Sequence, residues 1–264
     1  MTKRILIVGG NGQLGNCIRK IAADFENRYE FNFTDSTTLN VNDRESISDV
    51  FYDFKPHFCI NASAYTAVDL AENEPEKAFA VNAEGVANLA EACEEYNCVL
   101  IHVSTDYVFD GETSISYSED SFTHPQGVYG ASKLKGEELA TDLNPKTIVI
   151  RTSWLYSEFN KNFVKTMLNL FSQKDELGIV ADQFGQPTNA NDLAEAIMKI
   201  IETEPKTYGI FHFSNYPETT WFEFAQKIAE FSGSNIKLNA ITTEEFPTPA
   251  KRPKRSTMSL DKIE

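Results

Sequence analysis

The chain has 264 residues, enough to bury a full core in one large α/β domain or in one domain with a smaller appendage. Hydrophobic residues make up 41% and charged residues 24%, proportions that are ordinary for a globular protein. The formal net charge of -15 argues against DNA or RNA as a partner, because phosphate contacts need a basic face. Glycines interrupt the first apolar run long before the roughly 20 residues of a membrane span, so we expect a cytoplasmic protein with no membrane contact.

Cysteines and histidines give no pattern of metal ligands. The four cysteines, Cys17, Cys59, Cys93 and Cys98, contain no CxxC pair and lie in apolar or helical contexts, where reduced thiols commonly pack. The four histidines also lack the spacing of metal ligands. We therefore predict reduced cysteines in the core and no metal site.

Short β-rich apolar runs alternate with helical patterns through the first half of the chain. The predicted strands are Arg4–Val8, Tyr29–Thr34, His57–Asn61, Val99–Ser104 and Thr147–Arg151. The predicted helices are Gln13–Asp24, Arg44–Phe54, Pro75–Tyr96 and Tyr129–Thr141. This alternation is typical of βα units, and it predicts an α/β fold with a Rossmann-like doubly wound parallel sheet. We expect residues 1–151 to form a dinucleotide-binding domain.

The regular alternation weakens after Arg151. The remaining predicted elements are helices at Asn162–Phe171, Asn191–Ile201 and Thr220–Phe231, with short strands around Ile179 and Phe211. We expect residues 152–264 to supply the last strand or strands of the sheet and a small C-terminal substrate-binding cap.

A glycine-rich segment connects the first predicted strand to the first predicted helix. Gly9, Gly12 and Gly15 have G-x-x-G-x-x-G spacing, with Gln13 and Leu14 between the last two. Such glycines allow a sharp turn, a close approach of the backbone to a diphosphate, and tight packing of helix on strand. The N–H groups at the start of the helix bind phosphate oxygens. The order of strand, glycines and helix therefore predicts a nicotinamide dinucleotide site.

An acidic residue follows the second predicted strand. Asp35 lies about 20 residues after Gly15, the distance at which a carboxylate accepts hydrogen bonds from the adenosine ribose. Its negative charge would repel a 2′-phosphate. We therefore expect NADH to be favoured, or at least accepted.

A second set of residues carries the chemistry of carbonyl reduction. Thr105 ends the fourth predicted strand, while Tyr129 and Lys133 are four positions apart on one face of a predicted helix. A ketone needs a hydride at carbon and a proton at oxygen, and a tyrosine with its ordinary pKa near 10 exchanges protons poorly at neutral pH. We expect the Lys133 ammonium to lower the pKa of Tyr129, and Thr105 to donate a hydrogen bond to the carbonyl oxygen.

A cluster of basic residues lies near the C-terminus of this acidic chain. It could be a solvated tail, or it could bind an anionic group such as a pyrophosphate. Its members are Lys251, Arg252, Lys254 and Arg255.

Several longer segments, which together span nearly the whole chain, carry a family likeness. They are Gly12–Gly15, Asn61–Asp69 with Glu72, Ser104–Phe109, Tyr129–Lys133, Arg151–Trp154, Asp182–Thr188 and Arg252–Pro253. In these segments the chain resembles the extended short-chain dehydrogenase/reductase family, and within it the dTDP-4-dehydrorhamnose reductases. Jointly the segments are far more specific than a glycine motif alone.

This resemblance implies an NAD(P)H-dependent oxidoreductase that reduces the 4-keto group of dTDP-4-dehydro-L-rhamnose to dTDP-L-rhamnose for cell-surface polysaccharide. NADPH or NADH would donate the hydride, and Tyr129 would donate the proton. The implied cofactor-binding residues are Gly9, Gly12, Gln13, Leu14, Gly15, Asp35, Asn40, Val41, Ala62, Ala64, Tyr65, Thr66, Tyr129 and Lys133. The implied residues for the dTDP-linked deoxysugar are Val68, Asp69, Thr105, Asp106, Trp154 and Arg252. Trp154 would pack its ring against the apolar face of the sugar, unless it fills the core instead.

The chain departs from the family pattern at three positions. Asn40 stands where relatives often have an aspartate, so the contacts to adenine are expected to differ. Cys17 stands where some relatives have a glutamate that binds a metal between two subunits, so no such metal is expected, and a homodimer stays open. The chain ends at Glu264 where relatives continue, so its C-terminal region is expected to be shortened.

Two other functional classes remain open. Nucleotide-sugar dehydratases and epimerases use the same tyrosine and lysine, but dehydratases tend to have Asp-Glu after the threonine, whereas this chain has Asp106-Tyr107. A non-catalytic, nucleotide-binding regulatory subunit would need the fold without needing all three catalytic positions. The tyrosine at position 107 and the presence of Thr105, Tyr129 and Lys133 together favour a reductase acting on a nucleotide-linked sugar.

Overall fold

Strands and helices alternate along most of residues 2–263, the part of the chain that the computed structural model describes. The expected early end at Glu264 lies outside the described residues. The strands are β1 (Lys3–Val8), β2 (Tyr29–Thr34), β3 (Phe58–Asn61), β4 (Val99–Thr105), β5 (Thr147–Thr152), β6 (Leu155–Tyr156), β7 (Glu176–Val180), β8 (Phe184–Gly185), β9 (Thr188–Asn189), β10 (Gly209–His212), β11 (Thr219–Thr220) and β12 (Lys237–Ile241).

The helices lie mostly between the strands of the main sheet. They are α1 (Gln13–Ala22), α2 (Arg44–Phe54), α3 (Val68–Ala71), α4 (Pro75–Phe79), α5 (Gly85–Glu95), α6 (Val128–Leu143), α7 (Phe163–Phe171), α8 (Ala190–Glu202) and α9 (Trp221–Ser232). A π-helical segment at Ala80–Glu84 joins α4 to α5, and 3-10 turns lie at Ala23–Phe25 and Asp106–Val108. Among residues 2–263, no helix is both long enough and apolar enough to cross a membrane.

The main sheet is parallel, with strand order β10-β5-β4-β3-β1-β2. The order reverses direction between β1 and β3, which is where a doubly wound sheet opens a crevice for a ligand. The predicted fold class is thereby confirmed. The carboxyl ends of β1, β4 and β5 meet at this edge, and they carry the glycine segment, Thr105 and Trp154 respectively.

The predicted strands of the first half agree with β1 to β5 to within one residue at either end. The segment predicted as a helix, Pro75–Tyr96, is helical without a break from Pro75 to Glu95, but its backbone widens to a π-helical turn at Ala80–Glu84. Asn82 in that turn uses its side chain to bind a loop instead of facing solvent. The sequence also did not predict β12, whose residues alternate only partly between exposed and half-buried.

Two hydrophobic cores cover the two faces of the main sheet. Ile5 on β1 packs with residues of α1 and α8, while its neighbour Leu6 packs with residues of α2 and α5. Burial of both faces explains why the strands are continuous apolar runs rather than alternating ones. A third core around Met167, Leu177 and Ile228 joins α7, α9, β7 and β12 into a small lobe beside the sheet.

Candidate active site

The glycine segment turns sharply at the end of β1. Gly9 has a φ of +84°, and a Cβ there would lie 2.7 Å from the backbone nitrogen of Ser63. A Cβ on Gly15 would lie 2.5 Å from the carbonyl oxygen of Gly9, so helix α1 can pack this closely only with glycine. Gly12 begins α1 with no side-chain cap, which leaves the first-turn N–H groups to phosphate oxygens. The segment therefore fits a dinucleotide diphosphate.

Gln13 and Leu14 have different environments in the first turn of α1. Leu14 is buried in the core below the sheet. Gln13 donates to the Leu155 carbonyl (3.1 Å) and accepts from Asn162 (2.8 Å), which ties the glycine segment to the start of α7.

Asp35 lies at the carboxyl end of β2, facing the glycine segment. One carboxylate oxygen accepts a hydrogen bond from Asn11 at 2.7 Å, and the other accepts from Thr37 and Thr38. These bonds, led by the Thr37 hydroxyl, lower the pKa of Asp35 and keep it ionised. The position next to Asn11 is suited to a ribose hydroxyl.

The loop after β3, which holds Ala62, Ala64, Tyr65 and Thr66, lies beside the glycine segment. Asn82 accepts a hydrogen bond from the Tyr65 N–H (2.8 Å) and donates to the Tyr65 carbonyl (3.0 Å) and to Ser132 on α6 (3.0 Å). Because Asn82 is fully buried, it fixes this loop against the helix that carries Tyr129.

Asn40 and Val41 lie in the segment between β2 and α2. Val41 is buried, with its side chain against Gly85, where a Cβ would be 2.6 Å away. Its carbonyl accepts a hydrogen bond from Asn88. Asn40 is exposed and accepts from the Asn42 N–H, so of these two residues Asn40 is the one with an accessible side chain.

Thr105 and Tyr129 come together where β4 ends and α6 begins. A Cβ on Gly130 would lie 2.2 Å from the Tyr107 carbonyl, so glycine lets α6 approach the turn after β4. The ring of Tyr129 packs edge-on against that of Tyr107, with centroids 5.8 Å apart. Glu72 accepts a hydrogen bond from the Val128 N–H (2.8 Å) and caps the start of α6.

The expected lowering of the Tyr129 pKa is not found in this structure. Burial raises the pKa of Tyr129 to about 12, partly offset by a hydrogen bond with Thr105, and the charge of Asp106 adds to the rise. The expectation is wrong because Lys133 turns toward β4, where its Nζ contacts Val103 and His102. Tyr129 is therefore held as a neutral phenol at neutral pH, a group that can donate a proton.

Lys133 is almost completely buried below Tyr129. Its Nζ donates to the Val103 carbonyl at 2.7 Å and lies 3.4 Å from Nε2 of His102. Burial lowers the pKa of Lys133 to about 8, and the charge of Glu137 opposes this shift. Lys133 can therefore exchange its proton in the neutral to mildly alkaline range.

Asp106 is a buried carboxylic acid next to Thr105. Its Oδ1 accepts a hydrogen bond from the Thr105 hydroxyl at 3.1 Å. Its Oδ2 has no partner with hydrogen-bond geometry among residues 2–263, although Ser256 is close enough to lower the pKa. Burial dominates and raises the pKa of Asp106 to about 6.

Val68, Asp69 and Arg252 lie together beside Tyr129. Arg252 binds both carboxylate oxygens of Asp69, at 2.9 Å and 2.8 Å. Val68 and Tyr129 line a narrow cleft that the loop carrying Arg252 closes on one side. Within the basic cluster, Arg252 is ion-paired with Asp69 and Arg255 with Glu218 at 2.8 Å, whereas Lys251 and Lys254 are exposed.

Trp154 is stacked on a second tryptophan. The rings of Trp154 and Trp221 are 3.5 Å apart at 9°, and Gly185 lies so near that a Cβ would be 2.6 Å from Trp154. Trp154 also has a φ of +46°, a conformation that few non-glycine residues adopt. Trp221 therefore supports Trp154 at the junction of the sheet and the small lobe.

Comparison with known proteins is consistent with this geometry. Residues 3–264 match the family described as the RmlD substrate binding domain. The chain belongs to the RmlD substrate binding domain family. A dTDP-4-dehydrorhamnose reductase from Aggregatibacter actinomycetemcomitans is 45% identical over 99% of this chain and 92% of the relative.

Solved structures give the same assignment. A dTDP-4-dehydrorhamnose reductase from Clostridium acetobutylicum has a TM-score of 0.92 at 42% identity, over 97% of this chain and 90% of that one. A dTDP-4-dehydrorhamnose reductase from Bacillus anthracis, solved in complex with NADP, has a TM-score of 0.95 at 38% identity, over 100% and 92% of the two chains. The predicted family resemblance is thereby confirmed.

Four residues of this RmlD-family site were missed from the sequence as functional candidates: Asn61, Asn82, His102 and Trp221. Asn61 and His102 are neighbours in the register of β3 and β4. A buried polar residue in an otherwise apolar strand is the available signal: Asn61 ends β3, and His102 lies in the middle of β4. Asn82 and Trp221 act on residues far away in sequence, which no local pattern indicates.

Metal binding was not expected, and this stays a prediction. Within residues 2–263, no group of three or more histidine, cysteine, aspartate or glutamate side chains could hold a metal ion. Cys17 is a buried free thiol whose pKa is raised by burial, and it lies near the exposed ion pair of Lys20 with Glu158.

Proposed function

We propose that this chain is an NAD(P)H-dependent reductase that converts the 4-keto group of dTDP-4-dehydro-L-rhamnose to the hydroxyl of dTDP-L-rhamnose. The observation that carries this proposal is a neutral phenol, Tyr129, beside the Thr105 hydroxyl at the crevice next to the glycine segment. Relatives that carry the reductase name at 45% and 42% identity support the same substrate. A relative solved with NADP supports the cofactor.

Each catalytic residue has a defined part in this reaction. The cofactor, when bound, supplies a hydride to the carbonyl carbon. Tyr129 gives its phenolic proton to the carbonyl oxygen, which its pKa of about 12 makes available at neutral pH. Thr105, whose hydroxyl donates to Asp106 in the structure, turns to the carbonyl oxygen and stabilises its developing charge. Lys133, one helical turn from Tyr129, stabilises the phenolate that remains once its Nζ turns from the Val103 carbonyl toward Tyr129.

Elimination chemistry is less consistent with this site. Dehydration needs a base at the position that Tyr107 occupies, and burial raises the pKa of Tyr107 far above its ordinary value. A phenol that stays protonated at neutral pH is a poor base. Tyr107 instead packs against Tyr129 and holds its ring in place.

The proposed sugar site lies between the sheet and the small lobe. Arg252 would bind the diphosphate of the nucleotide, and Trp154 would contact the deoxysugar. Val68, Asp69 and Asp106 complete the proposed site. We also propose a cytoplasmic location, because the four cysteines are buried free thiols, which is typical of a reducing compartment.

The decisive experiment follows the absorbance of NADPH and of NADH with enzymatically prepared dTDP-4-dehydro-L-rhamnose. We expect oxidation of one cofactor per sugar and formation of dTDP-L-rhamnose. The matched control is dTDP-glucose, which has a hydroxyl at C4 and should consume no cofactor. Isomerisation without net oxidation would point to an epimerase, and tight cofactor binding without any turnover would point to a regulatory subunit.

A further inference from the structure

A chain of buried polar side chains runs from the loop after β3 to Lys133. Ser63 donates to Oδ1 of Asn61 from its backbone N–H (3.1 Å) and from its hydroxyl (2.6 Å). The amide of Asn61 is therefore oriented with its NH2 group toward His102, whose Nδ1 is 3.1 Å away. Asn61 and His102 are fully buried partners in the β3–β4 register, so this contact is fixed by the sheet.

The orientation of Asn61 decides which nitrogen of His102 carries the proton. An amide NH2 group can only donate, so Nδ1 of His102 must accept. Burial and the nearby Lys133 charge lower the pKa of His102 far below its ordinary value, so the ring is neutral and its single proton is on Nε2. Nε2 faces Nζ of Lys133 at 3.4 Å.

This arrangement suits an uncharged amine at Lys133 and opposes an ammonium. An amine can donate to the Val103 carbonyl, 2.7 Å away, and accept from His102 with its lone pair. An ammonium would direct a proton against the N–H of His102. The other charges near Lys133 are Glu137 on the same helix, which favours the ammonium, and Arg151 on β5, which is paired with Glu137.

We propose that His102 is a positioning residue that, with its tautomer fixed by Asn61, donates its Nε2–H to Lys133 and favours the uncharged form of that lysine. His102 does not touch the reacting atoms. It sets the pH above which Lys133 stops supplying a positive charge to the site. This inference concerns the protonation of Lys133, and it explains a buried histidine that carbonyl reduction itself does not use.

The first test reads the tautomer directly in the unmodified protein. Long-range proton–nitrogen NMR of nitrogen-15-histidine protein, without cofactor or substrate, separates the two tautomers and the imidazolium for each of the four histidines. The signal that disappears in His102→Gln is assigned to His102. We expect the Nε2–H tautomer from about pH 6 to 9. An Nδ1–H tautomer or an imidazolium in this range would overturn the proposal.

The second test reads Lys133 itself, from the Cε signal that is lost in Lys133→Met. In the wild type we expect it to titrate at about 8. His102→Met removes the N–H donor, and Asn61→Asp places an acceptor at Nδ1 that reverses the tautomer, so each should raise this midpoint by about one pH unit or more. His102→Gln keeps an N–H group and should restore a value near the wild type.

His57→Gln is the matched control for this series. His57, like His102, accepts a hydrogen bond through Nδ1, here from the backbone N–H of Arg4 at 3.0 Å, but it lies at the opposite end of β3 from Asn61. Its substitution should leave Lys133 unchanged. An unchanged Lys133 midpoint in both His102→Met and Asn61→Asp would refute the proposal. Because these measurements need no sugar, their failure would leave the reductase assay unaffected, and the reverse also holds.

Discussion

Arg252 and Asp69 form a two-point ion pair across the candidate active site. The guanidinium nitrogens lie 2.9 Å and 2.8 Å from the two carboxylate oxygens, and the Ala250 N–H donates to the same carboxylate at 3.2 Å. Arg252 holds the pKa of Asp69 below its usual range. The pair thus fastens the C-terminal loop to α3, and a diphosphate at the proposed site would share Arg252 with Asp69.

This relationship predicts that the two residues act as one unit in substrate binding. Asp69→Asn and Arg252→Met should each raise KM for the dTDP-sugar by about 10-fold, because either change releases the loop. The KM of the double variant should be little higher than that of either single variant. KM for the sugar and the Kd of NADPH, which should not change, are the measurements. Fully additive effects would show that the residues act independently.

Tyr129→Phe should abolish turnover while leaving cofactor affinity within about two-fold of the wild type. In the proposed mechanism the phenol donates the proton, whereas the ring alone makes the contact with Tyr107. Single-turnover reduction measures the first effect and fluorescence of bound NADPH measures the second. Retained reduction would remove Tyr129 from the mechanism.

Periodicity and glycine spacing predicted the sheet and the cofactor segment because these depend on residues close in sequence. The spacing of Tyr129 and Lys133 likewise placed both on α6. What the sequence could not predict is which way Lys133 turns. Its contacts with Val103 and His102 depend on how closely α6 approaches β4, a tertiary property that also reversed the expected pKa shift of Tyr129.

The small lobe was harder to predict for a similar reason. The Trp154–Trp221 stack joins residues far apart in the chain, and Trp154 adopts a left-handed backbone that no pattern of side chains indicates. β12 was missed because half-buried strands at the edge of a small core have weak alternation.

Asp106→Asn should stabilise the protein at neutral pH. Burial raises the folded-state pKa of Asp106 from its ordinary 3.8 to about 6, so the folded state binds its proton more tightly than the unfolded state. This group therefore costs stability increasingly as pH rises from about 4 to 6, and the cost is full above that range. The gain should be roughly 1–3 kcal/mol at about pH 7.5.

Urea unfolding at about pH 7.5 and at about pH 5 tests the predicted pH dependence of this stability gain. The gain in the free energy of unfolding from Asp106→Asn should shrink at the lower pH, because the carboxyl group of the folded wild type is already largely protonated there. An advantage that is equal at both pH values would mean that titration of Asp106 is not its cause. Activity should fall in the same variant, since Asp106 lies in the proposed sugar site.

Glu137→Gln should be strongly destabilising. Glu137 is buried and binds Arg151 at 2.7 Å, and it also accepts a hydrogen bond from the Ser104 hydroxyl on β4. Its neutralisation leaves a buried, uncompensated guanidinium, which costs about 3–5 kcal/mol. Glu138→Gln is the matched control, because Glu138 pairs with Lys135 at the surface, where such a pair is worth about 0.5 kcal/mol or less. Similar losses in both variants, measured by urea unfolding, would contradict this argument.

Gly185→Ala should damage the sugar site through Trp154. A Cβ there would lie 2.6 Å from the indole, and Trp154 cannot retreat because Trp221 is stacked on it at 3.5 Å. KM for the dTDP-sugar should rise by about 10-fold, with the Kd of NADPH unchanged. The chain has two tryptophans and both are in this stack, so intrinsic fluorescence reports the displacement directly.

Gly178→Ala is the matched control in the same lobe. The new Cβ would meet the Ile241 side chain at 3.2 Å, and that side chain can move aside. It should therefore change neither KM nor the tryptophan emission. If Gly185→Ala shifts the emission but leaves KM unchanged, Trp154 fills the core and does not contact the sugar.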